Sequence, residues 1–133
     1  MRTAACTCGQ LAIVMQGEPD NVLICHCREC QKVTGGPFGV GTYWPKSAVA
    51  EIHGKSSAYT RTSDAQRTLT HHFCPTCGGR LFWYADFVPE GIGVAIGNFE
   101  EANLPPPTDE YWTVRKYPWV DFACSLKPHI GDD

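Results

Sequence analysis

Apolar and polar residues alternate in short bursts along this chain, and few stretches sustain the 3.6-residue apolar period of a long helix. Eight segments read as strands: 10–15, 21–24, 38–44, 49–53, 58–62, 67–73, 81–85 and 92–96. They are rich in β-branched and aromatic residues and end at Gly, Pro, Asn, Asp or Ser. The best helical candidate runs from Arg28 to Val33 and is closed by Thr34-Gly35-Gly36-Pro37. Asn103-Leu-Pro-Pro-Pro107 is a stiff extended crossing, because proline fixes φ and removes a donor. It leads to an aromatic tail of Tyr111, Trp112, Tyr117 and Trp119, which is expected to pack back on the core. Tyr43 and Trp44, like Trp83 and Tyr84, fall on alternate strand faces. One of each pair is expected in the core, and the other is free to wall a pocket. The pattern predicts a mostly β fold with minor helix in one domain, residues 1–133.

Composition narrows this picture. Thirteen glycines and ten prolines keep the elements short. A net charge of −3, with eleven scattered basic residues, argues against a nucleic-acid footprint. No apolar run reaches membrane-spanning length. The stretch from Met1 to Cys6 lacks the apolar region of a signal peptide, so a cytoplasmic location is expected. In a reducing compartment, eight cysteines are better explained by metal than by disulfides.

Seven of those cysteines fall in three groups: Cys6-x-Cys8-Gly9, Cys25-His26-Cys27-x-x-Cys30 and Phe73-Cys74-x-x-Cys77-Gly78. In extended backbone, residues i and i+2 point the same way. Cys6 and Cys8 then present both sulfurs to one ion, as do Cys25 and Cys27, with His26 directed elsewhere. The step from Cys74 to Cys77 folds instead into a tight turn eased by Gly78. The simplest partition gives Cys6, Cys8, Cys74 and Cys77 to a closed tetrahedral zinc that bridges distant parts of the chain. Cys25, Cys27 and Cys30 then hold a second zinc with one open position. Two zinc ions per chain are expected. Two alternatives stay open at this point. Cys124 can complete the second site, although burial as a free thiol is the commoner state of a lone cysteine. A ribbon-like pairing of Cys27 and Cys30 with Cys74 and Cys77 would strand the other three.

The combined motif resembles the glutathione-dependent formaldehyde-activating enzyme family, which includes S-(hydroxymethyl)glutathione synthase and the centromere protein V domain. Gly36-Pro-Phe38, Gly97-Asn-Phe99 and Trp112 with Pro118-Trp119 are further landmarks of the likeness, which covers nearly the whole chain. The resemblance implies a β-tent of small antiparallel sheets around zinc knuckles. It also implies structural zinc on Cys6, Cys8, Cys74 and Cys77 and catalytic zinc on Cys25, Cys27 and Cys30. The implied activity is that of a carbon–sulfur lyase, joining or cleaving an adduct between a thiol such as glutathione and a small aldehyde such as formaldehyde. A fold hosts many functions, so membership leaves the substrate open.

In that reading the thiol occupies the open position and attacks a small carbonyl carbon, and an acid protonates the new alkoxide. His26, His71 and His72 are the candidates, each with a plainer role as a structural histidine bonded to backbone. Arg28 and Lys32, four apart on one helical face, are candidates to receive the carboxylates of a glutathione-like thiol; otherwise they are an ordinary solvated face. Thr34-Gly35-Gly36 offers backbone amides to a ligand or simply stops the helix. Two other classes compete with the lyase: a non-catalytic zinc-binding module and a thiol-based zinc or redox sensor.

Overall fold

The computed structural model describes residues 1–62 and 66–131; residues 63–65 and 132–133 of the expected domain lie outside them. The strands in chain order are β1 (Arg2–Ala5), β2 (Ala12–Met15), β3 (Asn21–Cys25), β4 (Gly39–Pro45), β5 (Val49–His53), β6 (Ser57–Thr62), β7 (Thr68–Phe73), β8 (Arg80–Ala85), β9 (Gly91–Ala95), β10 (Asp109–Tyr111) and β11 (Lys127–His129). One α-helix, α1 (Arg28–Thr34), follows β3, and Gly35 ends it in the left-handed region at φ 68°. The mostly β expectation holds, and each of the eight segments read as strands overlaps one, with ends shifted by no more than a residue or two.

Strands β1, β10 and β11 carry no such signal. They are three or four residues long, and Arg-Thr-Ala-Ala, Asp-Glu-Tyr and Lys-Pro-His lack alternation. Pro128 is tolerated because β11 lies at a sheet edge.

Two sheets form. The first has the order β1-β2-β5, and the second β11-β10-β3-β4-β9-β8-β7-β6. The second is antiparallel except that β10 runs parallel to both β3 and β11. Its strand register sorts the side chains onto two faces. Trp44, Phe82, Ile92 and Val94 turn toward the small sheet and meet Ala4, Leu11, Ile13 and Met15, all fully buried or nearly so. Thr42, a buried polar group beside them, is satisfied: its hydroxyl donates to Val94 O at 2.8 Å and accepts from the Trp44 indole at 2.8 Å.

The opposite face of the large sheet is unusual. Cross-strand pairs place Cys25 opposite Gly39, Leu23 opposite Gly41, Tyr43 opposite Gly93 and Gly93 opposite Trp83. Leu69 and His71 continue the row opposite Ala85 and Trp83, and Arg61 opposite Leu69. Glycine at alternate positions of β4 and β9 leaves a trough on this face, and the Trp83 indole lies in it. A Cβ at Gly93 would stand 2.2 Å from Trp83 Nε1, and one at Gly41 would stand 2.8 Å from Trp83 Cζ2.

The aromatic tail departs from expectation. Trp119 is 71% exposed and Tyr117 41%. The segment that follows the proline crossing wraps the start of α1 instead of the core. Phe122 is its inward aromatic, packing edge-on to Phe38 at 5.2 Å and against His26 at 6.0 Å.

Candidate metal centres and the cavity beside them

Two facing turns build the first cysteine set. Gly9 N donates to Cys6 O at 3.0 Å, and Gly78 N to Cys74 O at 2.8 Å. The Cys6–Cys8 step is therefore a turn rather than the extended dipeptide expected from its spacing, because β1 ends at Ala5 and the chain must reverse into β2. The outcome for the sulfurs is the same. Cys8 Sγ lies 3.7 Å from Cys6 Sγ and 3.6 Å from Cys74 Sγ, and all four ligand atoms, Cys77 included, lie within 4.8 Å of one another. Thiolates bound tetrahedrally at about 2.3 Å stand about 3.8 Å apart, so the set fits a four-sulfur ion.

Backbone and side-chain N–H groups converge on the same sulfurs. Leu11 N donates to Cys6 Sγ, Thr76 N to Cys74 Sγ at 3.3 Å, and the Gln10 amide to Cys74 Sγ at 3.2 Å. Burial opposes ionisation of Cys74, but the Cys77 N–H, the Gln10 amide and the Thr76 N–H outweigh it and hold that thiol at about 6.

The second set forms where β3 gives way to α1. Cys25 ends β3 on the glycine-lined face. Cys27 is the helix N-cap in extended conformation (φ −62°, ψ 157°), and its sulfur accepts from Cys30 N at 3.3 Å. The extended step from Cys25 to Cys27 and the first helical turn bring Cys30 back to the pair, so three sulfurs lie within 4.8 Å of one another. The three titrate as one group. Cys25 and then Cys30 donate to Cys27 and pull its thiol far down; Cys25 and Cys27, with burial, push Cys30 far up. Among the described residues, Cys124 belongs to neither set. A trio of thiolates suits a soft or borderline ion such as zinc.

His26 does not face the trio cavity. It is fully buried between the two cysteines, with its Nε2 at 3.0 Å from Glu110 Oε2, and Lys116 Nζ donates to the other Glu110 oxygen at 3.1 Å. Its backbone N–H donates to Tyr111 O, and its carbonyl accepts from the Gln31 amide at 3.0 Å. It pins the Cys25–Cys27 segment between β10 and α1.

A cavity of about 60 Å³ adjoins Cys25 and Cys30 on the glycine-lined face. Tyr43, Trp83, His71, Arg61 and Arg80 wall it. Arg80 reaches this face through a bulge. His72 pairs with Phe82 and Phe73 with Arg80, so β8 carries one extra residue, Leu81, between them. Strict alternation puts Arg80 and Trp83 on opposite faces; the bulge restores them to one face. The guanidinium then lies 4.0 Å from the Trp83 ring and donates to His71 Nδ1 at 3.2 Å. This bond leaves the His71 proton on Nε2. Burial, with the Arg80 charge behind it, lowers His71 to about 4, so its ring is neutral near pH 7. Burial, reinforced by the Cys30 and Cys25 charges, pushes the Tyr43 phenol well above its ordinary value, so it stays protonated.

The other residues singled out from sequence stand elsewhere. Arg28 is exposed and donates to Gln31 Oε1 at 2.6 Å; Lys32 is exposed; neither lines the cavity. His72 turns to the other face, stacked on Phe82 at 4.8 Å and bonded to Ser56. Gly35 is the helix stop. Arg61 and Arg80 went unnoticed in the sequence, Arg80 because only the bulge aims it. The visible signal was the Gly-x-Gly spacing of 39–41 and 91–93.

No curated protein sequence matches the chain. Among solved structures it is similar to a Rhodobacter sphaeroides protein determined in a structural genomics programme. The two share 21% identity over 76% of this chain and 90% of that one, with a TM-score of 0.58, a likeness of fold. A family model described as glutathione-dependent formaldehyde-activating enzyme matches residues 1–115. With that match spanning most of its length, the chain belongs to the glutathione-dependent formaldehyde-activating enzyme family.

Proposed function

We propose that this chain is a zinc-dependent carbon–sulfur lyase that joins or cleaves an adduct between a thiol and a small carbonyl compound. The observation that carries this reading is the contrast between the two cysteine sets. Four sulfurs converge in one, and three converge in the other beside a cavity lined by cationic and hydrogen-bonding groups. Cys6, Cys8, Cys74 and Cys77 would hold a structural zinc, and Cys25, Cys27 and Cys30 a catalytic one. The second ion would supply thiol activation, by favouring the ionised sulfur and fixing its place. The family name implies glutathione and formaldehyde as the pair.

The chain's own residues do the rest. Arg61 and Arg80, against one carboxylate, Glu29, in the same lining, offer cationic groups to an anionic oxygen near the reacting sulfur. Forming the S–C bond moves the carbonyl π pair onto oxygen, and the proton lost by the thiol ends on that oxygen, with no net redox change. Tyr43 stays protonated at neutral pH and can donate to the oxyanion, as can His71 through Nε2–H. His26, Glu110 and Lys116 act as positioning residues that hold the cysteine segment.

Cys25→Ser tests the reading. In zinc-replete buffer it should lose one zinc per chain and the adduct-forming activity while keeping a cooperative unfolding transition. Loss of the fold would make the second site structural, as a non-catalytic module requires.

A further inference from the structure

A second depression lies beside the trio cavity on the same sheet face. It is about 310 Å³ in volume, and it shares Tyr43, Leu69 and Trp83 with the smaller one. Its floor and walls are apolar: Ala85, Phe87, Val88, Pro45 and the backbone of Gly91 and Gly93. Carboxylates stand at its rim, Asp20 and Glu90, with no basic residue in the lining. An apolar cavity of about 150 Å³ accommodates benzene, so this groove has room for a ring and its attachments.

Resting on the lyase reading above, we propose that the thiol this protein handles carries an uncharged aromatic or branched hydrocarbon body, which lies in this groove while its sulfur sits at Cys25, Cys27 and Cys30. Three observations support this. The smaller cavity holds a sulfur, a small carbonyl and little else, so the rest of the thiol must leave it. The apolar groove adjoins it on the same sheet face, with Tyr43, Leu69 and Trp83 lining both. The acidic rim repels a terminal carboxylate, which a glutathione-like tripeptide would carry along this route. Arg61 and Arg80 line the sulfur end, where an anionic oxygen is required; at the groove end the Arg67 guanidinium is stacked on Phe87, 4.7 Å from its ring, and is not part of the lining.

The test uses the full chain loaded with cobalt(II) in place of zinc. Benzyl mercaptan, glutathione and 2-mercaptoethanol are titrated in turn. The thiolate–cobalt absorption reports sulfur at the trio, and calorimetry reports affinity. Benzyl mercaptan should bind about tenfold or more tightly than either other thiol, the gain from burying its ring. Ala85→Trp, which fills the groove, should bring benzyl mercaptan down to the affinity of 2-mercaptoethanol in the same variant. Should that variant misfold, Phe87→Ala, at a half-exposed wall residue, should shrink the preference several-fold. Equal or tighter binding of glutathione, or a preference untouched by these variants, would overturn the inference and leave the lyase reading standing. If no thiol changes the cobalt spectrum, the lyase reading falls and this inference with it.

Discussion

Replacing Gly93 by alanine tests how the cavity wall is made. The new Cβ would stand 2.2 Å from Trp83 Nε1 and 2.3 Å from Cε2. Ordinary carbon contacts lie near 3.5–4.0 Å, so the indole must move by roughly 1.5 Å. It has little room to do so. Tyr43 meets it edge-on at a centroid distance of 6.0 Å, Arg80 covers it at 4.0 Å, and Gly41 lies beneath. Overpacking of this kind costs about 1–3 kcal/mol, and the backbone entropy gained on replacing glycine offsets roughly 0.4–1 kcal/mol of it. A net loss of about 1–2 kcal/mol is expected. Unfolding entropy near 2.1 cal/mol/K per residue gives about 0.28 kcal/mol/K for 133 residues. The corresponding fall in Tm is about 4–7 °C. The assay is thermal unfolding in zinc-replete buffer, followed by circular dichroism, with tryptophan emission recorded on the folded protein. Gly97→Ala is the control, since a Cβ there meets nothing within 4 Å. A Gly93→Ala protein as stable as wild type, with unaltered emission, would refute the placement of Trp83 in a glycine trough.

Glu110→Ala should destabilise by about 1–3 kcal/mol, because it leaves the fully buried His26 Nε2 without a partner. Lys116→Ala should cost under about 1 kcal/mol, since its ammonium is a quarter exposed; denaturant titration separates the two, and equal costs would contradict the pinning role. His71, lowered to about 4, takes up its proton in the unfolded chain before the folded one, so it erodes stability as pH falls from about 6.5 toward 4. His71→Gln should therefore gain stability relative to wild type across that window and not above it; a constant difference from pH 4 to 8 would contradict the shift. Cys6→Ser should abolish cooperative folding where Cys25→Ser does not, as read by unfolding curves with metal counted in parallel; matching behaviour would erase the distinction between the sites.

The strand pattern was legible because one face of the large sheet is buried against the small one, which writes alternation into β4 and β9, while β8 reads as a continuous apolar run, Leu81 to Ala85. The cysteine sets were legible because sulfur spacing survives changes in local backbone: Cys6 and Cys8 converge through a turn, yet their neighbours, Cys74 and Cys77, are those expected. What remained hidden depends on events that periodicity does not encode. The Leu81 bulge re-aims Arg80, so counting by twos assigns it to the wrong face. The parallel pairing of β10 with β3 brings Glu110 beside His26 across a separation of 84 residues, and nothing local announces it. Arg28 and Lys32 share one helical face, as their spacing of four predicts, but that face of α1 is the solvent side and not the cavity side. Trp119 was expected inward because it is large and apolar, but it stands exposed against Tyr117, and Phe122 takes the inward place.

The central claim is that one ion is held by four protein sulfurs and the other by three, leaving a place for a substrate thiol. Zinc K-edge absorption on the fully loaded chain measures this directly, before and after a thiol is added. Seven protein sulfurs shared by two ions should give a mean sulfur number below four, rising to four when the thiol is present. A mean of four from the start, unchanged by thiol, would show the second ion closed by the protein itself and contradict the claim.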